Sequence, residues 1–137
     1  MPMKLRRAKE LALLWMLALS YAPATAQDFP SRPVSLVVPN APGGPMDILA
    51  RLFSTHLETM WKKPVVVVYK PGAGTAVGTD FVAKSAPDGH TIGLVVTAHV
   101  INPSVRPNLP FDTVKDLAGV TMTAISHLVI EATPSLP

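Results

Sequence analysis

The sequence predicts an α/β protein with a mainly parallel sheet and βα crossovers, and two observations lead to this fold class. Short runs of apolar, β-branched residues recur along the chain, as is typical of strands buried on both faces. Between them lie segments whose apolar residues repeat at helical spacing. Strand, helix, strand, helix and strand in this order imply right-handed crossovers between parallel strands.

The first two strands are predicted at residues 34–39 and 65–69, which are rich in valine. The segment 46–61 between them predicts an amphipathic helix, because its apolar residues recur three or four apart: Ile48, Leu49, Leu52, Phe53, Leu57 and Met60. A short helix at 76–84 and a turn at 87–89 lead to a third strand at 91–97.

Beyond Ala98 the pattern weakens. Asn102 and Pro103 are expected to break the chain, and residues 111–117 to form a single helical turn. A fourth strand is predicted at 120–125 and the beginning of another at 128–132. The sequence then stops without a helix to cover that strand, so we expect it to be part of a longer domain.

The first 26 residues predict a secretory signal peptide that is cleaved near Ala26. Basic residues precede a nine-residue apolar run at 11–19, and the small-residue motif of residues 24–26 follows it. The run is too short to cross a bilayer, so no direct membrane anchoring is expected after cleavage. Only the pair Arg6 and Arg7 supports the twin-arginine route, so the general secretion route is preferred.

The charge balance of the remaining chain argues against nucleic acid as a partner. Four of the twelve basic residues and one of the nine acidic residues precede residue 27, so the rest of the chain carries no net charge. Binding to nucleic acid or to an anionic membrane requires clustered Lys and Arg. No cysteine is present, so a hydrophobic core must supply the stability.

Two glycine-rich loops follow predicted strands and precede predicted helices, where ligands bind in open α/β sheets. In the first loop, Gly44 is expected to be the N-cap and Pro45 the first helical residue. Free amides at Gly43, Gly44, Met46 and Asp47 would then face outward, where they favour an anion such as a carboxylate. The alternative is a plain turn, in which Asp47 only interacts favourably with the positive end of the helix dipole. The candidate ligand-binding residues are Pro42, Gly43, Gly44, Met46 and Asp47.

The second loop gives Gly72, Ala73 and Gly74 as candidates, with a plain turn again the alternative. Its glycines resemble a dinucleotide fingerprint only weakly, because Thr97 and Ala98 stand where an acidic ribose partner is expected. Thr97, at the end of the third strand, and His99, in the loop after it, complete the candidate site.

The sequence offers no candidate catalytic residue, metal ligand or cofactor. The four histidines are scattered without ligand spacing, and no cysteine nucleophile or Gly-x-Ser-x-Gly motif is present.

The order of these motifs resembles the tripartite tricarboxylate transporter substrate-binding proteins, the Bug (TctC-like) family. The matching segments cover nearly all of the chain after residue 27: residues 29–34, 38–39, 42–44, 47, 50–51, 70–74, 77–78, 82–84, 87–91, 101–103, 109–112 and 115–117. Asn40 stands where the family commonly has an aromatic residue, and Tyr69 and Thr75 stand where it commonly has Asn and Gly.

The resemblance implies a periplasmic binding protein, not an enzyme, with a Venus flytrap fold of two α/β domains. Such a protein holds a small organic acid in its cleft and delivers it to the membrane components of a tripartite transporter. Residues 27–137 would be the N-terminal part of the binding domain, with the second domain absent. A non-functional truncated remnant is one alternative, and a nucleotide-dependent oxidoreductase domain is another.

Overall fold

The structure is a computed structural model, and it describes residues 28–126, 132, 133 and 135. The predicted signal peptide and most of the strand predicted at 128–132 lie outside the described residues. Residues 28–31 are the described part of a unit separate from the chain that begins at Arg32, and they contain a cis Phe29–Pro30 bond. From Arg32 onward the elements are β1 (Val34–Val38), α1 (Pro45–Trp61), β2 (Val65–Tyr69), a 3-10 turn (Ala73–Thr75), α2 (Ala76–Ala83), β3 (Thr91–Gly93) and α3 (Thr97–Val105).

The three strands form one parallel sheet in the order β2-β1-β3, which confirms the predicted parallel arrangement. Val34 is paired with Val65 on one side of β1, and Ser35 is paired with Thr91 on the other. The first strand in sequence is therefore the central strand of the sheet.

Helices α1 and α2 pack on opposite faces of the sheet. On one face Val34, Leu36 and Val38 form a buried cluster with apolar residues of α1, against which Phe53 and Leu57 also pack. Side chains alternate along a strand, so Val37 and Gly93 belong to the other face. There α2 lies so close that a Cβ at Gly93 would be 2.9 Å from Val82 Cγ2.

The ends of α1 follow the local chemistry of the sequence. Gly44 is the N-cap and Pro45 occupies the first turn, as predicted. At the other end Lys62 takes a left-handed conformation, and its amide donates to the Glu58 carbonyl at 2.8 Å. The Glu58 side chain accepts the amide of Val65 at 2.9 Å, which joins the helix end to the start of β2.

The third strand is shorter than predicted, and a helix replaces the expected break after it. Leu94 still donates to the Val37 carbonyl at 2.9 Å, but the neighbouring strand then reaches Pro39, which has no N–H to continue the ladder. The chain leaves the sheet and forms α3, so the expectation that Thr97 belongs to the strand is wrong. Pro103 lies inside α3, and the Arg106 amide still donates to the Asn102 carbonyl at 2.8 Å.

The segment after α3 confirms one expectation and contradicts another. A single turn forms within the predicted segment 111–117, where the backbone amide of Asp116 donates to the Asp112 carbonyl at 3.1 Å. Residues 120–125 are exposed and form no strand, so that prediction is wrong. Their β propensity has no neighbouring strand to pair with among the described residues. In the part of the chain that the structure describes, no helix is long and apolar enough to span a membrane.

Candidate functional site

The carboxyl ends of the three strands meet at one edge of the sheet, and the two glycine-rich loops begin there. The amide of Lys70, after β2, donates to the Val38 carbonyl at 2.8 Å, while Leu94, after β3, donates to Val37. The connection from β1 leads to β2 on one side of the central strand, and the connection from β2 then crosses β1 to reach β3 on the other side. This is a topological switch point, the usual position of ligand sites in open α/β sheets.

In the first loop, residues 39–44, two of the four amides expected to be available are already engaged. Gly43, which has a φ of 92°, donates to Asp47 Oδ2 at 2.9 Å, and the Asp47 amide donates to the Gly44 carbonyl at 2.9 Å. The expectation of outward-facing amides is therefore wrong for Gly43 and Asp47. The amides of Gly44 and Met46 donate to no acceptor within residues 28–126, and we call such groups open amides. Pro42 is exposed beside them.

The Asp47 carboxylate holds the first loop in place. It is buried, and besides Gly43 it accepts hydrogen bonds from the Tyr69 hydroxyl at 2.5 Å and from Arg51 Nε at 2.7 Å. Arg51 Nη2 also donates to the Tyr69 hydroxyl at 3.1 Å. We call Asp47, Arg51 and Tyr69 the carboxylate cluster.

These bonds change the proton affinities within the carboxylate cluster. The bond from Tyr69, the Gly43 amide and the Arg51 guanidinium lower the pKa of Asp47 below its usual value. The bond to Asp47 raises the pKa of Tyr69 in turn. Sequence reasoning missed Arg51 and Tyr69 as partners of this loop, although the spacing of four residues between Asp47 and Arg51 was an available signal.

The second loop, residues 70–75, contains a run of left-handed backbone. Gly72, Ala73, Gly74 and Thr75 have φ values of 136°, 47°, 59° and 77°. Two of these residues carry a Cβ, and such conformations are strained and cluster at ligand-binding positions. The Asn102 side chain, which is buried on α3, donates to the Gly74 carbonyl at 2.8 Å and fixes the run. The Ala73 and Gly74 amides are open within the described residues.

Gly78 packs the two loops together. A Cβ on this residue would lie 2.8 Å from Pro39 Cβ and 2.9 Å from the Lys70 carbonyl oxygen. Only glycine lets α2 approach both loops this closely. The close packing of α2 at Gly78 thus holds Pro39 and Lys70, one from each loop, in position.

Thr97 and His99 lie in the first turn of α3, so the expectation of a loop position is wrong for His99 as well. The strand before them ends at the same edge of the sheet as the first loop, which leaves both residues near the switch point. The His99 amide donates to the Val96 carbonyl at 2.8 Å, and its buried Nδ1 has no hydrogen-bond partner among the described residues.

The groups at this edge are of the kind that can bind an anion. Two glycine-rich loops present open amides at Gly44, Met46, Ala73 and Gly74, and α1 directs its N-terminal dipole to the same edge. Within the described residues, no group of three or more His, Asp or Glu side chains could hold a metal ion. Fold and site together define a class, the α/β domains that bind small ligands at the carboxyl ends of a parallel sheet.

The comparison with known sequences assigns the family within this class. Residues 49–137 match the family described as tripartite tricarboxylate transporter family receptor, and the chain belongs to that family. A curated relative, Protein BugT of Bordetella pertussis, is 38% identical over 117 residues, which are 84% of this chain and 36% of BugT. The chain thus spans about a third of the length of this relative. The family is one of receptors, in agreement with the interpretation of a binding protein.

Solved structures confirm the fold class. The periplasmic binding protein BugD matches with a TM-score of 0.61 at 38% identity, over 64% of this chain and 29% of BugD. MatC from Rhodopseudomonas palustris, solved with bound malate, matches with a TM-score of 0.60 at 36% identity, over 64% of this chain and 30% of MatC. The chain therefore has part of the periplasmic binding protein fold.

Proposed function

We propose that this chain is the N-terminal part of a periplasmic receptor that captures a small carboxylated organic acid for a tripartite tricarboxylate-type transporter. The observation that carries the proposal is the pair of glycine-rich loops that present open amides at the carboxyl edge of the sheet. Malate bound to the related MatC supports a carboxylate as the ligand. Membership in a receptor family disfavours the oxidoreductase alternative.

The proposal assigns the carboxylate to backbone amides and not to a lysine. Gly44 has a φ of −91°, and a Cβ there would meet no atom within 4 Å, so Gly44→Val is compatible with the fold and adds bulk next to the open amide of residue 44 itself. Lys70 is the obvious cation of the second loop, but its Nζ lies over the Phe81 ring, 4.7 Å from the centroid. Lys70→Ala is the matched control.

The experiment is an NMR titration with malate that follows the amide signals of Gly44 and Met46, because chemical shifts detect even weak binding. We expect Gly44→Val to weaken affinity at least about tenfold, or roughly 1.4 kcal/mol, and Lys70→Ala to cost clearly less. Thermal melting of both variants separates lost binding from lost folding. Loss of binding in Lys70→Ala with intact binding in Gly44→Val would show that a side-chain ion pair holds the ligand.

A further inference from the structure

We propose that residues 120–125 pair with the outer edge of β3 in a second copy of this chain, so that two copies exchange these segments and form a dimer. The inference goes beyond the proposed function, because it concerns an association surface and not the ligand site. It is carried by two features that the fold leaves unpaired in the same molecule: an edge strand with open amides, and an exposed segment with the composition of a strand.

The outer edge of β3 has a row of unpaired backbone groups. The Leu94 amide donates to the Val37 carbonyl at 2.9 Å, which fixes the even-numbered residues of this segment as those that face β1. Backbone groups of successive residues point to opposite sides of a strand. The amides that point away from β1 are therefore those of Thr91, Gly93 and Val95. All three are open amides within residues 28–126.

The edge of β2, on the other side of the sheet, is better protected. Its first outward amide, that of Val65, is bound by the Glu58 side chain at 2.9 Å. Edge strands are commonly protected by such contacts, by charged side chains or by proline. The segment 91–95 contains no charged residue and no proline. Among the described strands, β3 therefore has the edge that is more open to a further strand.

Residues 120–125 have the composition of a strand and no partner for it. Four of the six residues are β-branched, none is charged and none is proline. Apolar residues alternate with threonine from Val120 to Ala124, so an extended segment has one apolar side. The structure leaves this side uncovered, with Val120 85% and Met122 75% exposed.

The two unpaired features complement each other. A segment that adds to the β3 edge gains main-chain hydrogen bonds from the open amides. Its apolar side then continues the face on which Ile92 packs against the buried cluster. Within one copy the two features do not meet, because β1 is the one neighbour of β3 in the sheet that the structure describes. Two copies that exchange their segments fill both edges at once in a closed, twofold arrangement.

The association is tested by sedimentation velocity of the purified chain over about a hundredfold range of protein concentration. We expect a monomer–dimer equilibrium. Thr123→Pro removes an amide from the segment and disrupts its pairing, so it should weaken dimerisation at least about tenfold. Ala118→Pro is the matched control, because Ala118 is also exposed but lies outside the segment. It should leave the dimerisation constant within about twofold.

Backbone hydrogen exchange, measured by NMR, identifies the edge that is used. We expect the Gly93 amide to exchange at least about tenfold more slowly at the highest protein concentration than at the lowest, while the outward amide of Val67 on β2 is unchanged. Thr91→Pro removes an outward amide of β3 and keeps the bonds to β1, so it should weaken dimerisation as Thr123→Pro does.

Three results would each overturn the inference. The first is a chain that stays monomeric over the whole concentration range, or a dimer that survives Thr123→Pro or Thr91→Pro. The second is protection of the Gly93 amide that does not depend on concentration, which would show that the segment folds back within one copy. The third is concentration-dependent protection of Val67 in place of Gly93, which would move the contact to the edge of β2.

Discussion

Asp47 places a negative charge directly beside the amides that we propose bind an anion. An isolated buried carboxylate there would repel a carboxylate ligand and would also be costly to desolvate. Arg51 supplies the compensating positive charge, and Tyr69 and Gly43 supply neutral donors. The carboxylate cluster can therefore fix the loop without making the site negative.

The lowered pKa of Asp47 leads to a prediction about acid stability. A carboxyl group whose pKa is lower in the folded state than the ordinary value of 3.8 stabilises the fold above that value. This contribution is lost as the pH falls below about 4 and through the lowered pKa. We expect Asp47→Asn to reduce the free energy of unfolding at pH 7 and to weaken its dependence on pH below 4, measured by urea unfolding between pH 2 and 7.

Asp28→Asn serves as the control, because the Asp28 side chain is exposed. Asp88 and Asp112 also have lowered pKa values, so a residual acid transition is expected in every variant. An acid transition in Asp47→Asn that superimposes on that of the unaltered chain would contradict the prediction.

At the scale of elements, the contact of α2 with the two loops depends on Gly78. Alanine at this position would bring its Cβ within 3 Å of backbone and ring atoms of Lys70 and Pro39, which cannot move without shifting the strand ends. We expect Gly78→Ala to lower the free energy of unfolding by about 2 kcal/mol, measured by urea denaturation. Gly119→Ala is the control, since a Cβ there would meet nothing within 4 Å, and its effect should stay below about 1 kcal/mol. Equal stabilities of the two variants would refute this account of the packing.

The elements that sequence reasoning found are those whose signals are local. The periodicity of α1 and its glycine and proline start lie within one segment, and so do the valine runs of β1 and β2. The end of β3 depends on Pro39 of the neighbouring strand, which no pattern within 91–97 reveals. Helix α3 was missed because Asn102 and Pro103 disfavour helices locally, whereas the structure buries Asn102 in a bond to the second loop.

In the candidate site, too, the features with a local sequence signal were predicted and those that depend on distant residues were missed. Its two loops were predicted from glycines placed between strand and helix, and the structure brings both to one edge of the sheet. The residues that hold them come from elsewhere: Tyr69 reaches Asp47 across 22 positions, and Asn102 reaches Gly74 across 28. Contacts over such separations follow from the fold and leave no trace in the local sequence.

At the scale of the whole molecule, the export predicted from the first 26 residues can be tested directly. We expect expression in a Gram-negative host to yield a periplasmic product beginning at Gln27, because the apolar run is short and a small-residue cleavage motif follows it. Intact-mass analysis of the periplasmic fraction measures the start of the chain. A membrane-bound product that retains residues 1–26 would contradict both the processing and the location.

The central position of β1 has a consequence for the order of folding. This strand is made first, yet its two partners follow about thirty and nearly sixty residues later, so its pairing waits for two long loop closures. Until then its valines, fully covered in the native fold, remain available to other chains. During synthesis, and during the export that the first 26 residues predict, the segment VSLVV is therefore where a holding chaperone would be most useful and where self-association would begin.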